Sequence, residues 1–323
     1  MPAPTLLEIQ EAAARIAPHA RRTPLVESAA LGARAGRAVH CKCETMQRTG
    51  SFKFRGACNA VWRVPAADAA RGVVTHSSGN HALALAEAAR ERGIPAHVVM
   101  PARASAVKRA AVLAAGATLY ECGETAAERE ERCAQVLAQT RGTLVPPYDH
   151  AWTIAGQGTI ALEILESLPQ AGTIVVPVGG GGLISGIAIA AKALRPGIRI
   201  VGAEPALADD AAEGKRTGVR AAQRPPVTIA DGLRAPLGEL TFPVVRELVD
   251  EIVTVSEEAI VEGLRTLFEE AKLVAEPSAA VGVAALLDPR MRARAAEDAA
   301  RGPTVVVLCG GNVDLASLPF LRA

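Results

Sequence analysis

Short apolar runs and helically spaced apolar positions alternate along most of this chain. The runs are rich in valine and isoleucine and are bounded by glycine, proline or charged residues, which is typical of buried strands. We predict such strands at residues 38–44, 73–76, 96–100, 117–120, 173–177, 198–203, 252–255 and 304–308. Apolar residues at helical spacing, closed by glycine or proline, predict helices at residues 6–16, 52–63, 82–92, 107–115, 124–139, 160–168, 183–194, 257–272 and 278–287.

Strands that alternate with helices in this way form parallel sheets covered by helices, so the predicted fold class is α/β. The first continuous alternation begins at Gly72 and ends at Pro146-Pro147, and a second one follows it. We therefore predict a smaller domain, residues 70–149, inserted into a larger domain formed by residues 1–69 and 150–323. A ligand is expected in the cleft between the two domains.

Composition and charge restrict the class of function. The 323 residues are 50% hydrophobic but only 3% aromatic, so the core is mostly aliphatic. Lysine and arginine number 35, aspartate and glutamate 34, and no basic patch with interleaved aromatics occurs, which argues against a nucleic-acid partner. Residues 1–8 lack the order of a signal peptide, and the apolar run 183–193 is too short to span a membrane. The six cysteines form no C-x-x-C pair, which suits a reducing cytoplasm.

Residues 49–57, with the sequence TGSFKFRGA, place Lys53 between two phenylalanines at the start of a predicted helix. Burial among aromatic side chains, together with the charge of Arg55, is expected to disfavour the ammonium form and to leave a nucleophilic amine. Such an amine forms an imine with an aldehyde. The alternative is a surface helix whose lysine extends its ammonium group into solvent.

Two loops at strand-to-helix junctions are suited to anions, because the N–H groups at a helix N-terminus are free. Residues 77–81 (SSGNH) offer hydroxyl, amide and backbone donors to a carboxylate; the alternative is an ordinary N-cap. Residues 179–182 (GGGG) form a phosphate cup. Because the next predicted strand ends at Glu204, this unit also matches a dinucleotide-binding fingerprint. No GK[ST] follows the glycines, which excludes a nucleotide-triphosphate loop.

Two further features offer reactive or ligating groups. Cys309 places a thiol at the C-terminal tip of a predicted strand. Glu204, Asp209 and Asp210 place three carboxylates within seven residues, which is enough hard oxygen for Mg²⁺ or Ca²⁺. Taken alone, such an acidic loop is more often only solvated.

Five motifs occur in order: residues 51–57, 77–81, 179–183, 228–232 (TIADG) and 310–314 (GGNVD). With them the chain resembles, over nearly its whole length, the serine/threonine dehydratase and serine racemase family of pyridoxal-phosphate (PLP) enzymes. The resemblance implies two open twisted parallel-sheet domains of the tryptophan synthase β-like fold, with the active site in the cleft between them. We also expect a homodimer.

The resemblance further implies roles for the motif residues. Lys53 would hold the PLP aldehyde covalently and take the substrate's Cα proton, and Ser78 would be the second acid/base on the opposite face of the ring in a racemase. The residues implied to bind the cofactor are Phe52, Lys53, Asn80, Gly179, Gly180, Gly181, Gly182, Leu183 and Cys309. The residues implied to surround the substrate carboxylate are Ser77, Ser78, Gly79, Asn80 and His81. The implied ligands of a divalent cation (Mg²⁺, Mn²⁺ or Ca²⁺) are Glu204, the carbonyl of Ala208 and Asp210, with Asp209 pointing away.

The implied place of Cys309, facing the pyridine nitrogen, bears on the type of reaction. A thiol is a weak partner and leaves this nitrogen largely neutral, which favours loss of a β-substituent over transamination. The expected activity is therefore the conversion of a 3-hydroxy amino acid, such as L-serine, L-threonine or 3-hydroxyaspartate, to a 2-keto acid and ammonia. The alternatives are a racemase using Lys53 and Ser78, an NAD-dependent oxidoreductase based on the glycine loop and Glu204, and a non-catalytic binding domain, which leaves Lys53 unexplained.

Two positions bear on regulation and selectivity. Leu83 stands where many relatives carry glutamine, near a nucleotide effector site of animal racemases, so ATP activation is not expected here. Arg129 is similar to a family residue near the mouth of the cleft and would favour an acidic side chain, or else belongs to a solvated helix face.

Overall fold

The computed structural model describes residues 2–77, 79–104, 106–222, 224–315, 318 and 320. The strands in these ranges are β1 Leu25–Glu27, β2 Val39–Cys43, β3 Val73–His76, β4 Ala96–Pro101, β5 Thr118–Cys122, β6 Thr143–Leu144, β7 Thr173–Pro177, β8 Arg199–Pro205, β9 Glu251–Val255 and β10 Thr304–Leu308. The helices are α1 Leu6–Ile16, α2 Ala29–Ala35, α3 Lys53–Arg63, α4 Ala66–Ala69, α5 Asn80–Arg92, α6 Ala106–Ala114, α7 Ala126–Thr140, α8 Ala151–Ser167, α9 Gly182–Leu194, α10 Asp210–Thr217, α11 Thr241–Leu248, α12 Glu257–Glu269, α13 Pro277–Leu287, α14 Pro289–Ala293 and α15 Ala295–Arg301.

The strands form two sheets. The larger sheet has the order β1-β2-β10-β7-β8-β9, and its neighbours are parallel except for the edge pair of β1 with β2. The smaller sheet has the order β5-β4-β3-β6 and is parallel throughout. Strands β7, β8 and β10 are buried along their whole length, as expected for parallel strands covered on both faces. The predicted α/β class with two parallel sheets is confirmed, and the antiparallel edge strand is an addition to it.

Four predicted elements, α1, β3, β7 and β10, have the predicted bounds. Helix α1 shows why a local pattern was sufficient there. Thr5 and Glu8 form a reciprocal capping box at its start, and Ile9, Ala12 and Ile16 are buried at helical spacing. The signals for start, direction and end of this helix all lie within its own residues.

The prediction gave no regular strand or helix for β1, α2, α4, β6, α10, α11, α14, α15 and residues 151–159 of α8. In α8 the helical propensity is lowered by Gly156 and Gly158. The tertiary structure nevertheless requires a glycine there, because a Cβ on Gly156 would lie 2.6 Å from the carbonyl oxygen of Arg55 in α3. The backbones of α3 and α8 are therefore nearly in contact, which fixes the start of α3 in space.

The hydrophobic residues form a large cluster around the larger sheet and a second cluster around the smaller one. Helix α3 contributes Phe54, Ala57 and Val61 to the second cluster, where they join Val73 and Leu85. A helix that the prediction assigned to the larger domain thus packs against elements of the smaller sheet. The predicted domain limits at 69/70 and 149/150 stay a prediction. No helix in the described ranges is both long enough and apolar enough to cross a membrane.

Candidate active site

Lys53 is the first residue of α3, just beyond the carboxyl ends of the parallel strands β2 and β10. The loop before it pairs with the residues that follow β10. Phe52 N–H donates to the carbonyl of Cys309 at 3.0 Å, and Gly311 N–H donates to the carbonyl of Gly50 at 2.8 Å. This pairing holds the lysine and the thiol at the same edge of the sheet although they are far apart in sequence.

The Lys53 amine is poised to be neutral. Burial lowers its pKa from 10.5 to about 8, and nearby Cys309 and Glu276 act in the opposite direction. Its Nζ donates to the carbonyl oxygen of Pro147 at 2.7 Å and lies 4.9 Å from the centre of the Phe52 ring. With this pKa about a tenth of the Lys53 amine is unprotonated at pH 7, far more than for an ordinary lysine.

Arg55 does not act as predicted on this pKa. Its guanidinium turns away from Lys53 and forms ion pairs with Glu44 at 2.8 Å and Glu163 at 2.6 Å. Lys42 pairs with the second oxygen of Glu163 at 2.5 Å. The four side chains form a buried network with two charges of each sign, and burial, not Arg55, lowers the pKa of Lys53.

The tetraglycine loop connects β7 to the N-terminus of α9. Gly181 has φ of 84°, a conformation that favours glycine, and a Cβ on Gly180 would overlap the ring of Tyr148. The free N–H groups of the first turn of α9 remain available to an anion. The side chain of Leu183 is buried in the core, so only its backbone N–H can serve the predicted role. Because the four glycines carry no side chains, the backbone N–H groups of the loop stay uncovered, which suits a phosphate.

Asn80 begins α5, and both ends of its amide are held. Its Nδ2 lies 3.0 and 3.1 Å from the two carboxyl oxygens of Glu276, and its Oδ1 accepts from Asn312 at 2.9 Å. Burial raises the pKa of Glu276 to about 7. Sequence reasoning missed Glu276, because an acid directly before Pro277 at a helix start reads as an ordinary helix terminus.

His81 is 1% exposed, and its Nε2 donates to the carbonyl of Val145 at 3.1 Å. Burial, followed by the charge of Lys53, lowers the pKa of His81 to about 3, so the ring is neutral. Gly79 N–H donates to the hydroxyl of Ser77 at 3.3 Å. Ser78 lies outside the described residues, so its role as the second acid/base stays a prediction.

Cys309 is 2% exposed, and burial raises the pKa of its thiol well above the usual value. The thiol is therefore neutral at any physiological pH. An ion pair that sequence reasoning missed lies nearby: Lys108 of α6 and Asp231 meet at 2.5 Å, and a Cβ on Gly79 would lie 3.7 Å from the Lys108 amine. This pair connects α6, which lies between β4 and β5 of the smaller sheet, to the segment between α10 and α11.

The acidic loop is not simply solvated. Glu204 is fully buried, and burial together with Asp210 raises its pKa to about 9; burial raises the pKa of Asp210 to about 6. Asp209 instead pairs with exposed Arg224 at 2.7 Å. The buried Glu204 carboxyl group and the half-buried Asp210 carboxyl group both have raised pKa values, and together they are a donor set suited to a metal ion.

A cavity of about 240 Å³ is lined by residues 206–210, 224–226, 234 and 236, which include Asp210 but not Glu204. Within the described ranges no three His, Cys, Asp or Glu side chains form a metal-binding group, so a cation here depends on the Ala208 carbonyl as well. Glu204 accepts from the first turn of α10 and points into the protein. Because Glu204 has no solvent exposure, a ribose bound outside the glycine loop cannot reach it, and the oxidoreductase alternative loses its acidic residue. Each Glu204 oxygen keeps a second lone pair for a buried cation.

The site therefore places the Lys53 amine between the N-termini of α5 and α9. Residues 145–148 connect the parts: Val145 accepts from His81 in α5, Pro147 accepts from Lys53, and Tyr148 covers the glycine loop before α9. Each N-terminus favours an anion. The arrangement suits a phosphate on one side of the amine and a carboxylate on the other.

Comparison with known proteins agrees with this geometry. A serine racemase of Arabidopsis thaliana is 49% identical over 313 residues, covering 97% of this chain and 94% of that relative. A beta-hydroxyaspartate dehydratase of Paracoccus denitrificans (strain Pd 1222) is 43% identical over 318 residues, covering 98% and 99%. The solved structure of maize serine racemase superposes with a TM-score of 0.95 at 44% identity, covering 98% of this chain and 96% of that one. The family described as pyridoxal-phosphate dependent enzyme matches residues 16–310, and the chain belongs to this family.

Proposed function

We propose that this enzyme is a dehydratase (ammonia-lyase) that converts a 3-hydroxy amino acid to a 2-keto acid and ammonia. The observation that carries the proposal is the Lys53 amine, with a pKa of about 8, held between the two anion-binding helix N-termini. The similarity to the Paracoccus dehydratase supports the reaction type. Serine, threonine and 3-hydroxyaspartate remain the candidate substrates.

Different residues of this chain bind the cofactor, bind the substrate and transfer the proton. The tetraglycine loop and α9 bind the cofactor phosphate, and the start of α5 binds the substrate carboxylate. The neutral Lys53 amine accepts the Cα proton, because its lowered pKa places it near the operating pH. Bound PLP supplies an electron sink for the charge left on Cα. Asn80 is oriented by Glu276 and Asn312, so its position towards the ring is fixed before the substrate arrives.

Cys309 favours elimination in this scheme. Its thiol is neutral and buried, so it cannot hold a proton on a pyridine nitrogen as a carboxylate would. With a neutral thiol at this position, bound PLP would supply a weaker electron sink, which would favour loss of the 3-hydroxyl group over slower proton transfers. Glu276 reaches Asn80 with both oxygens, so its carboxyl group is engaged elsewhere.

Racemisation is the second candidate function. It is supported by the 49% identity with the Arabidopsis serine racemase and by a serine at position 78. A racemase needs a proton donor on the face opposite Lys53. The same enzyme can carry out both reactions if Ser78 donates a proton at a rate comparable to that at which the β-substituent leaves.

A panel of D- and L-3-hydroxy amino acids tests the two candidates. Formation of keto acid and ammonia in equal amounts, faster than inversion of the substrate in chiral chromatography, is the result expected for a dehydratase. Inversion without keto acid would contradict our proposal and support the racemase. Ser78→Ala serves as the matched variant, since it should remove inversion and leave elimination of the L-isomer.

The rate at which the apoenzyme captures PLP should depend on pH as the Lys53 amine does. Only the unprotonated amine attacks the aldehyde. Because burial lowers the pKa of Lys53 to about 8, the rate should rise with pH and level off above that value. The appearance of the yellow colour of the imine measures this rate, with N-acetyl-lysine methylamide as the control. A profile that still rises near the ordinary lysine pKa, as for the control, would contradict it.

We also propose that Glu204, Asp210 and the Ala208 carbonyl hold Mg²⁺, Mn²⁺ or Ca²⁺. The support is the raised pKa of both carboxyl groups and the cavity that Asp210 lines, since a cation would relieve the repulsion of the two groups. Chelation should lower the melting temperature by about 5 °C, and Mg²⁺ should restore it.

Two variants serve as controls for the chelation experiment. Asp210→Asn should melt at the same temperature with and without chelator, whereas Asp209→Asn should keep the full response, because the Asp209 carboxylate pairs with Arg224 and is not one of the three proposed ligands. An unchanged melting temperature of the wild-type protein after thorough chelation would rule the site out.

A homodimer and a cytoplasmic location remain part of the proposal. All six cysteines are free, which supports a reducing compartment. Light scattering of the purified protein measures the oligomeric state directly.

A further inference from the structure

The segment that follows β6 touches every part of the site within a few residues. Val145, Pro147 and Tyr148 contact the start of α5, the Lys53 amine and the glycine loop, as described above. The next residue, Asp149, belongs to none of the motifs. Its carboxylate turns to the start of α11.

Asp149 caps that helix from a distant part of the chain. Its Oδ2 accepts from Glu239 N–H at 2.9 Å, and its Oδ1 accepts from Leu240 N–H at 2.9 Å and Thr241 N–H at 3.1 Å. Leu240, the N-cap residue of α11, has no side chain that can do this. A Cβ on Gly238 would overlap the carboxylate, so the turn before α11 is shaped around it.

Thr241, the first residue of α11, links this helix to the glycine loop by hydrogen bonds. Its hydroxyl is fully buried, donates to the carbonyl of Gly180 at 2.8 Å and accepts from Gly238 N–H at 2.8 Å. The direction of the Gly180 carbonyl is thereby set by α11.

The direction of the Gly180 carbonyl determines the direction of the neighbouring N–H donor, that of Gly181. In a planar trans peptide the carbonyl and the N–H of the following residue point in opposite directions. With the Gly180 oxygen held by Thr241, the N–H of Gly181 points away from the Thr241 hydroxyl. This N–H is one of the donors that a phosphate in the cup would use.

We infer that Asp149 is a positioning residue for the cofactor phosphate: it fixes the start of α11, and through Thr241 it holds the Gly180–Gly181 peptide in the orientation that binds an anion. This inference rests on the proposed function, because it assigns the cup to the phosphate of PLP. It adds a residue that touches neither cofactor nor substrate.

The test measures binding to the apoenzyme and not turnover. The dissociation constants of PLP and of inorganic phosphate, the latter from its competition with PLP, are determined for the wild type, Asp149→Ala, Asp149→Asn and Thr241→Val. Asp149→Ala should weaken both ligands about tenfold, the size expected for loss of a helix cap. Asp149→Asn keeps one acceptor oxygen and should lose less affinity for both ligands. The ³¹P resonance of bound PLP should shift in Asp149→Ala and Thr241→Val, since the donors around the phosphate change.

Asp288→Ala is the matched control. Asp288 also caps a helix with its carboxylate, at the N-terminus of α14, and is engaged with Arg290 outside the site. Its removal should lower thermal stability and leave both dissociation constants unchanged. The double variant Asp149→Ala/Thr241→Val should bind no more weakly than the weaker single variant, because both changes interrupt the same path.

Wild-type affinity in Asp149→Ala for both ligands would overturn the inference while leaving the proposed function intact. Fully additive losses in the double variant would overturn it as well. A wild-type protein that binds neither PLP nor phosphate would overturn the proposed function together with the inference. If Asp149→Ala does not fold, the Asp149→Asn and Thr241→Val variants decide by the same criteria.

Discussion

Replacement of Lys53 by alanine is expected to lower kcat for keto acid formation by about 10⁴-fold or more, near the upper end for a positioned proton-transfer group. The variant loses both the covalent attachment of the cofactor and the base for the Cα proton. Steady-state assays of keto acid measure the loss. Borohydride reduction of the wild-type holoenzyme, followed by peptide mass spectrometry, should find the cofactor on Lys53, and the variant should carry no label.

The matched control is Lys215→Ala, because Lys215 lies in α10, away from the site. Its activity and labelling should equal those of the wild type. Retention of more than about a tenth of the activity in Lys53→Ala would show that another group performs the proton transfer, and it would remove the central residue of our proposal.

Replacement of Arg55 by methionine is expected to destabilise the protein by about 3–5 kcal/mol, since it leaves buried carboxylates without their main partner. Arg55 binds Glu44 and Glu163 in a region where neither guanidinium nor Glu44 reaches solvent. These carboxylates raise the pKa of Arg55 above its ordinary value despite burial. Urea unfolding of the holoenzyme, read as a change in the midpoint at constant slope, measures the effect.

A surface ion pair that also involves a glutamate of α8 provides the control. Arg22 pairs with Glu166 of α8 at 2.6 Å, with both side chains more than half exposed. Arg22→Met should cost at most about 1 kcal/mol, because such pairs are screened by solvent. Equal losses for the two variants would show that burial of the Arg55 network contributes nothing to its strength.

Much of the fold could be predicted because its signals are local. Strands β3, β7 and β10 are short runs rich in valine and isoleucine, and the prediction gave their bounds as observed. Helix α11 could not be predicted in this way. It contains Pro243 and its N-terminus is capped by Asp149, whose carboxylate comes from 90 residues earlier in the chain. No local pattern reveals such a cap.

The same distinction holds for the site. Lys53 and the tetraglycine loop lie in contiguous motifs, so their chemistry could be predicted from the neighbouring residues. Glu276 and Tyr148 enter the site only through tertiary packing, the first against Asn80 and the second against Gly180. The sign of the Lys53 pKa shift was predicted from burial, but the contribution assigned to Arg55 was wrong, because sequence proximity does not reveal where a long side chain points.

Strand β10 follows all other described strands in sequence, yet it lies inside the larger sheet, between β2 and β7. During synthesis on the ribosome it emerges after them, so a growing chain carries a sheet with a gap in it. Until residue 311 has emerged, the loop that holds Lys53 lacks its pairing partner, and the facing edges of β2 and β7 are exposed to other strands. Capture of the cofactor therefore comes late in biogenesis, and nascent chains stalled before residue 304 should be both colourless and prone to aggregation.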